Sequence, residues 1–222
     1  MECVGKYLVC QGSVVMTEEG VVVGPLYTRT RPVCLECLRA GPDLAACTRC
    51  GWPVCSGGCE AGPWHSMECE ILAAAKERIK PSDYSTNCPL FSCISPLRML
   101  LLRRTHPDAW RVVDTLMDHN NDRDLNDNTA WKVHLLLMIN FVQKHLQLDF
   151  TESEIRRAIG ILRTNSVRLE HREGYGEGVV VYPAYSYTNH SCVCNTYTKK
   201  YKNNKMELIA QSDIKVCFCF IQ

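Results

Sequence analysis

Eight metal-ligand residues packed into one short stretch constrain this chain more than any other feature: Cys34-x2-Cys37, Cys47-x2-Cys50, Cys55-x3-Cys59 and His65-x3-Cys69. A turn carrying two Cys or His residues three or four positions apart presents both to one Zn2+, whose tetrahedral shell takes four ligands. Four such pairs make two complete shells and leave nothing over. The expected wiring is interleaved, with Cys34, Cys37, Cys55 and Cys59 around one ion and Cys47, Cys50, His65 and Cys69 around the other. Closed four-ligand shells have no open position for a substrate, so the zinc is expected to be structural. A disulfide framework would need an oxidising compartment, and Met1-Glu-Cys-Val-Gly does not open like a secretory signal.

A chain of 222 residues with 46% hydrophobic content accommodates one large domain or two small ones. Its formal net charge of +1 gives no electrostatic footprint for nucleic acid. The cysteine-rich module is mildly acidic, with Glu36, Asp43, Glu60 and Glu68 against Arg39 and Arg49, which points to a protein partner. The remaining cysteines, Cys3, Cys10, Cys88, Cys93, Cys192, Cys194, Cys217 and Cys219, are expected to be mostly reduced in a cytoplasmic or nuclear protein. The apolar runs Met99 to Leu102 and Leu135 to Val142 fall short of a bilayer span, so no membrane association is expected.

Before the module, Tyr7-Leu-Val, Ser13-Val-Val-Met and Gly20-Val-Val-Val-Gly-Pro25 read as short strands punctuated by turns. After it, Ile71, Leu72, Ala75 and Ile79 mark a helix that Pro81 stops. A second helix is predicted from Ser95 as N-cap with Pro96 at its first position. Further helices are predicted over Pro107 to His119, Asn128 to His145 and Thr151 to Leu162, the last opened by the capping box Thr151-x-x-Glu154. Strands return at Ser166 to Leu169, Gly178 to Tyr182, Met206 to Ala210 and Val216 to Ile221. The first strands are too few to bury a face alone. The economical reading is one β domain interrupted by the zinc module and helices, its two halves meeting in space.

Near the end lies Tyr182-Pro-Ala-Tyr-Ser186-Tyr-Thr-Asn189-His190-Ser191-Cys192, where Asn, His and Ser follow a strand and offer short polar groups from one turn. A double-zinc module after an N-terminal β segment, then helices, then Asn-His-Ser-Cys, resembles the SET and MYND domain (SMYD) family. The resemblance covers nearly the whole chain. Val4-Gly-Lys-Tyr-Leu-Val9 is similar to the opening turn of the SET domain, and Val21-Val-Val-Gly-Pro25 to the strand leading into MYND. Pro96-Leu-Arg-Met-Leu100 and His119-Asn-Asn-Asp-Arg123 are similar to the helical region, and Ile159 to Ser166 to the return into the SET core. Gly51-Trp-Pro-Val-Cys55 with Pro63-Trp64-His65 resembles the arthropod-specific subgroup.

The resemblance implies an α+β fold: a split, mostly-β SET domain with an inserted MYND module and a helical insert. Its segments would be an N-terminal SET lobe (1–30), the MYND zinc module (31–70), the helical insert (71–163) and the C-terminal SET core (164–222). It also implies methyl transfer from S-adenosylmethionine (SAM) to a protein lysine, such as one on a histone. Gly5, Lys6 and Tyr7 would flank the methionine part of SAM, and Asn165, Ser186, Asn189 and His190 would line the rest of the pocket. The amine, with a pKa near about 10.4, would lose its proton in an apolar channel and attack in line with the methyl–sulfur bond. Family members continue after the equivalent of Asp213-Ile214 with a Gly-Glu-Glu turn, a catalytic tyrosine and post-SET cysteines. Here Lys215 to Gln222 stands instead. A SET core truncated at its end, and a weak or inactive enzyme, are therefore expected. The alternative is a non-catalytic adaptor whose MYND module recruits a proline-containing partner, as in transcriptional repression.

Other polar residues read as structural. His106, His119, His134, His145 and His171 lack ligand spacing and are expected on the surface or at caps. Asp118, Asp122, Asp124 and Asp127 lack the Gly and Glu of an EF-hand and are expected in a solvated loop. Lys199 to Lys205 reads as a hairpin tip, and Trp52 and Trp64 either line a peptide groove or pack on the zinc loops.

Overall fold

The computed structural model describes residues 7–28, 32–76, 88–125, 129–169, 174–201 and 203–215. In chain order its strands are β1 (Tyr7–Val9), β2 (Val14–Glu19), β3 (Val22–Pro25), β4 (Ala45–Ala46), β5 (Pro53–Val54), β6 (Ser166–Arg168), β7 (Gly178–Val181), β8 (Thr196–Lys200), β9 (Lys205–Ala210) and β10 (Ile214–Lys215). The α-helices are α1 (Gly57–Glu60), α2 (Pro63–Ala73), α3 (Ile94–Thr105), α4 (Pro107–Val113), α5 (Asn120–Leu125), α6 (Thr129–Ile139) and α7 (Glu152–Asn165). The result is a mixed α/β protein with small antiparallel sheets, in which N-terminal strands pair with C-terminal ones. Strand β1 pairs with β10, β2 with β9, and β3 with β7. The chain divides into two compact units, Val22–Val181 and the combination of Met1–Val21 with Tyr182–Gln222. No helix among the described residues is long and apolar enough to cross a membrane.

In the Val22–Val181 unit, the sheet order is β3-β7-β6, with Val22 opposite Val181 and Val167 opposite Val180. Both faces of β3 and β7 are buried, which their unbroken Val runs anticipate. Helix α3 packs on β3 and on α7, and every residue from Ile94 to Leu102 is buried, as expected of a helix enclosed on all sides. The close approach of β3 to α3 requires glycine: a Cβ on Gly24 would lie 2.3 Å from Ser95 Oγ. Helix α7 offers Ile155, Ala158, Ile159, Ile161 and Leu162 to the core. It opens with the predicted capping box, Thr151 Oγ1 accepting from the Glu154 N–H while Glu154 Oε2 accepts from the Thr151 N–H.

Several predicted boundaries shift. Ser95 does not cap a helix. A 3-10 turn over Pro89–Cys93 runs straight into α3, and Ser95 Oγ instead donates to the Pro25 carbonyl at 2.6 Å. Helix α4 stops at Val113 and the chain turns through His119, whose φ of 50° lies in the left-handed region. The predicted helix to His145 is α6 followed by a wider π-turn over Asn140–His145. Helix α2 begins inside the zinc module, and Ile79 and Pro81 lie outside the described residues, as does the predicted strand Val216 to Ile221. His134 is 8% exposed, so it is a core histidine rather than a surface one. The acidic stretch expected as a solvated loop is partly helical, with Asp122 and Asp124 in α5, and it is held by arginines: Asp118 accepts from Arg157 Nη1 at 2.6 Å, and Asp124 pairs with Arg156.

In the other unit, β2-β9-β8 form one sheet and β1-β10 a second. The basic run turns the β8–β9 hairpin as predicted, with Asn204 at φ 62° and the Tyr201 N–H donating to the Lys205 carbonyl at 2.8 Å. Its lysines fold back, Lys199 and Lys205 lying 5.3 and 5.7 Å from the centre of the Tyr201 ring.

Candidate metal centre

Each Cys-x2-Cys pair forms the same tight turn. The Leu38 N–H donates to the Cys34 carbonyl and the Gly51 N–H to the Cys47 carbonyl, both at 2.9 Å. In each case the residue after the second cysteine adopts positive φ, 64° at Leu38 and 79° at Gly51. That reversal swings both thiols to one side of the turn. The β4–β5 pairing of Ala46 with Pro53 closes the second turn at its base. Helix α1, capped by Ser56 Oγ accepting from the Cys59 N–H, brings Cys59 beside Cys55. Helix α2 places His65 and Cys69 one turn apart on one face. Its start is held by Glu36, which accepts from the His65 N–H at 2.8 Å and lies where a Cβ on Gly62 would have to sit.

These elements bring together the interleaved sets that the spacing predicts. The ligand atoms of Cys34, Cys37, Cys55 and Cys59 all lie within 4.8 Å of one another, as do those of Cys47, Cys50, His65 and Cys69. Sulfur–sulfur separations are 3.4 Å for Cys37–Cys55, 3.3 Å for Cys55–Cys59 and 3.7 Å for Cys47–Cys69, and Cys50 Sγ is 3.7 Å from His65 Nε2. Zn–S bonds of about 2.3 Å arranged tetrahedrally put sulfurs about 3.8 Å apart, so the clusters match the edges of a zinc tetrahedron. All members of the second set are buried, and of the first set Cys34 is buried and the others half-buried. Burial pushes the Cys37 and Cys50 thiols well above the ordinary thiol range. Burial also raises Cys47, but the Cys50 N–H and the His65 ring outweigh it. Four packed thiolates are therefore tenable only around a cation, and thiolate sulfur with imidazole is the donor set of structural zinc. Both clusters are candidate zinc sites.

Among the module's acidic residues Glu68 is fully buried, Glu36 and Glu60 are half-buried and Asp43 is exposed. Glu36 binds the start of α2, and Glu60 Oε1 accepts from the Thr48 N–H at 3.0 Å. Trp52 is also a core residue, 2% exposed and packed on Phe91 and Phe141 with ring centres 4.9 and 6.5 Å away. Trp64 remains half-buried. Sequence reasoning passed over Arg98, which is 0% exposed and bound to Glu68. The available signal was a lone charge within an otherwise apolar stretch of helix.

The residues that the resemblance implies for SAM are placed as follows. Gly5 and Lys6 lie outside the described residues, and Tyr7 begins β1 opposite Lys215. Asn165 ends α7 in the Val22–Val181 unit, its amide donating to the Met117 and Ile161 carbonyls at 2.8 Å each. Ser186, Asn189 and His190 belong to the other unit. Ser186 Oγ donates to the Tyr182 carbonyl at 3.0 Å, within a 3-10 turn over Tyr185–Tyr187 whose first N–H groups donate to Glu18. Asn189 and His190 are exposed beyond that turn. No protein-family model and no curated protein matches the chain.

Proposed function

We propose that this chain is a zinc-organised protein-interaction protein of SET-and-MYND type, whose double-zinc module binds a proline-containing segment of a partner. The observation that carries this reading is the pair of complete, interleaved four-ligand clusters. A closed shell organises a surface and leaves no metal position for a substrate. Half-buried Trp64, on α2 between the two clusters' ligands in sequence, is the aromatic side chain available to a peptide. The test is titration of the zinc-loaded protein with proline-containing peptides. Binding weakened at least about tenfold by Trp64→Ala, with zinc content unchanged, is expected. Zinc-replete protein that binds none of them overturns the reading.

A second reading, SAM-dependent methyl transfer to a protein lysine such as one on a histone, is favoured by one feature. Asn189 and His190 stand exposed on a loop that Glu18 steadies through the Ala184 and Tyr185 N–H groups, at 2.8 and 2.9 Å. Against it, the side chains of Asn165 and Ser186 are engaged with backbone carbonyls. Calorimetric titration with SAM separates the readings. Saturable binding lost in Asn189→Ala and His190→Ala supports the transferase, and no binding by folded protein leaves the interaction module.

A further inference from the structure

His65 faces the second cluster through Nε2, 3.7 Å from Cys50 Sγ, while its Nδ1 is buried and makes no hydrogen bond. Glu68 Oε1 lies 3.9 Å from Nδ1, one helical turn along α2. Glu68 is itself fully buried, and Arg98 grips it with two donors, Nε to Oε2 at 2.6 Å and Nη2 to Oε1 at 2.5 Å. Arg98 also donates to the Val23 carbonyl on β3 and, through Nη2, to the Leu35 carbonyl inside the Cys34-x2-Cys37 turn. One guanidinium thus touches the sheet, the first zinc turn and the carboxylate behind the second cluster.

From this arrangement we infer that Glu68 is the positioning residue of the Cys47/Cys50/His65/Cys69 site, and that Arg98 locks it in place. The inference deepens the metal reading above and rests on it. The chemistry is directional. An imidazole that gives Nε2 to a metal carries its proton on Nδ1, and a buried N–H needs an acceptor. At 3.9 Å Glu68 is beyond hydrogen-bond reach of Nδ1, so its fixed charge, rather than a made hydrogen bond, favours the Nδ1–H tautomer, orients the ring and strengthens Nε2 as a ligand. A carboxylate free to rotate would do this poorly. Two charge-assisted bonds from a planar guanidinium hold Glu68 in one orientation, and the same guanidinium is anchored by two carbonyls from other elements. The first cluster contains no histidine, so the effect is confined to the second.

The test uses the full chain loaded with zinc. Zinc content comes first: two equivalents are expected, and none would sink the metal reading together with this one. With two bound, nitrogen-resolved magnetic resonance of the wild-type imidazole is expected to show Nδ1 protonated and Nε2 metal-bound. Metal on Nδ1, or a deprotonated Nδ1, overturns the inference while leaving the zinc sites standing. Glu68→Gln is then challenged with a chromophoric chelator. One equivalent is expected to dissociate about 10- to 100-fold more readily, with the other unchanged. Cobalt substitution identifies the weakened site as the one with a nitrogen ligand. Unchanged release, or equal weakening of both sites, shows that Glu68 acts only through the packing of the fold. Should Glu68→Gln not fold, the wild-type ring spectrum decides alone.

Discussion

His134 lies on α6 with Nε2 3.2 Å from the Ser92 carbonyl and Nδ1 3.3 Å from Arg163 Nη1. The carbonyl can only accept and the guanidinium can only donate, so the ring is the neutral Nε2–H tautomer. Burial, aided by the Arg163 charge, pushes its pKa from 6.5 down to about 4, and the Tyr27 ring stacks beside it with centres 6.3 Å apart. The folded-state pKa is the lower one, so between pH 6.5 and about 4 the unfolded chain binds the proton more readily. Stability should fall as pH drops through that window, by up to about 3 kcal/mol from this group. Zinc sites also lose stability in acid, so the informative quantity is the difference between wild type and His134→Gln. Melting temperatures measured across that range should converge on acidification; curves that stay parallel would show that His134 does not titrate as described. The same scale explains an error of sequence reading. Histidine without ligand spacing looks like a surface residue, but the groups that meet this ring, the Ser92 carbonyl and Arg163, are far from it in the chain.

Among the elements, the two zinc turns share one conformation built from different residues. Positive φ after the second cysteine suits Gly51, which has no Cβ, whereas Leu38 adopts it at a cost of about 1–2 kcal/mol. Leu38 is 5% exposed, and its burial offsets that strain. Gly51→Ala should therefore destabilise the zinc-loaded protein by about 1–2 kcal/mol, seen in denaturant titration, and should weaken the Cys47/Cys50/His65/Cys69 site while sparing the other. Helix α7 offers a second check, because its start was legible and is intact: Thr151→Ala removes the capping hydroxyl and should cost about 0.5–2 kcal/mol. An unchanged midpoint would mean that the box contributes nothing. Helix α3 shows why local signals fail elsewhere. Ser95-Pro96 looks like a helix start, but β3 lies against that face and captures the hydroxyl through the Pro25 carbonyl.

At the scale of the whole molecule, the zinc module is part of the core of the Val22–Val181 unit rather than an appendage. Trp52 follows directly after Gly51 of the second zinc turn and packs on Phe91 and on Phe141 of the π-turn. Arg98 joins α3 to the Cys34-x2-Cys37 turn and to Glu68 on α2, the helix that carries His65 and Cys69. Structural zinc contributes about 10–16 kcal/mol of apparent folding free energy, which rivals the whole stability of an ordinary domain at about 5–15 kcal/mol. Stripping the metal should therefore disorder more than residues 31–70. A strong chelator is expected to lower the far-ultraviolet helical signal as well as release zinc, in one transition. A helical signal that survives complete zinc removal would show that the helices fold without the module.

Ligand pairing was legible in the chain alone because a metal site is written as spacing: residues three or four apart share a turn whatever surrounds them, and eight ligands allow two closed shells. Strand runs, the α7 capping box and the β8–β9 hairpin were legible for the same reason, since each depends on neighbours in sequence. Only the tertiary structure decided that Trp52 is core, that Ser95 serves β3, that His134 is buried and neutral, and that Glu68 and Arg98 stand behind the second metal site. In each of these the partner is remote along the chain, and burial converts an ordinary polar or aromatic side chain into one that must be satisfied from a single direction.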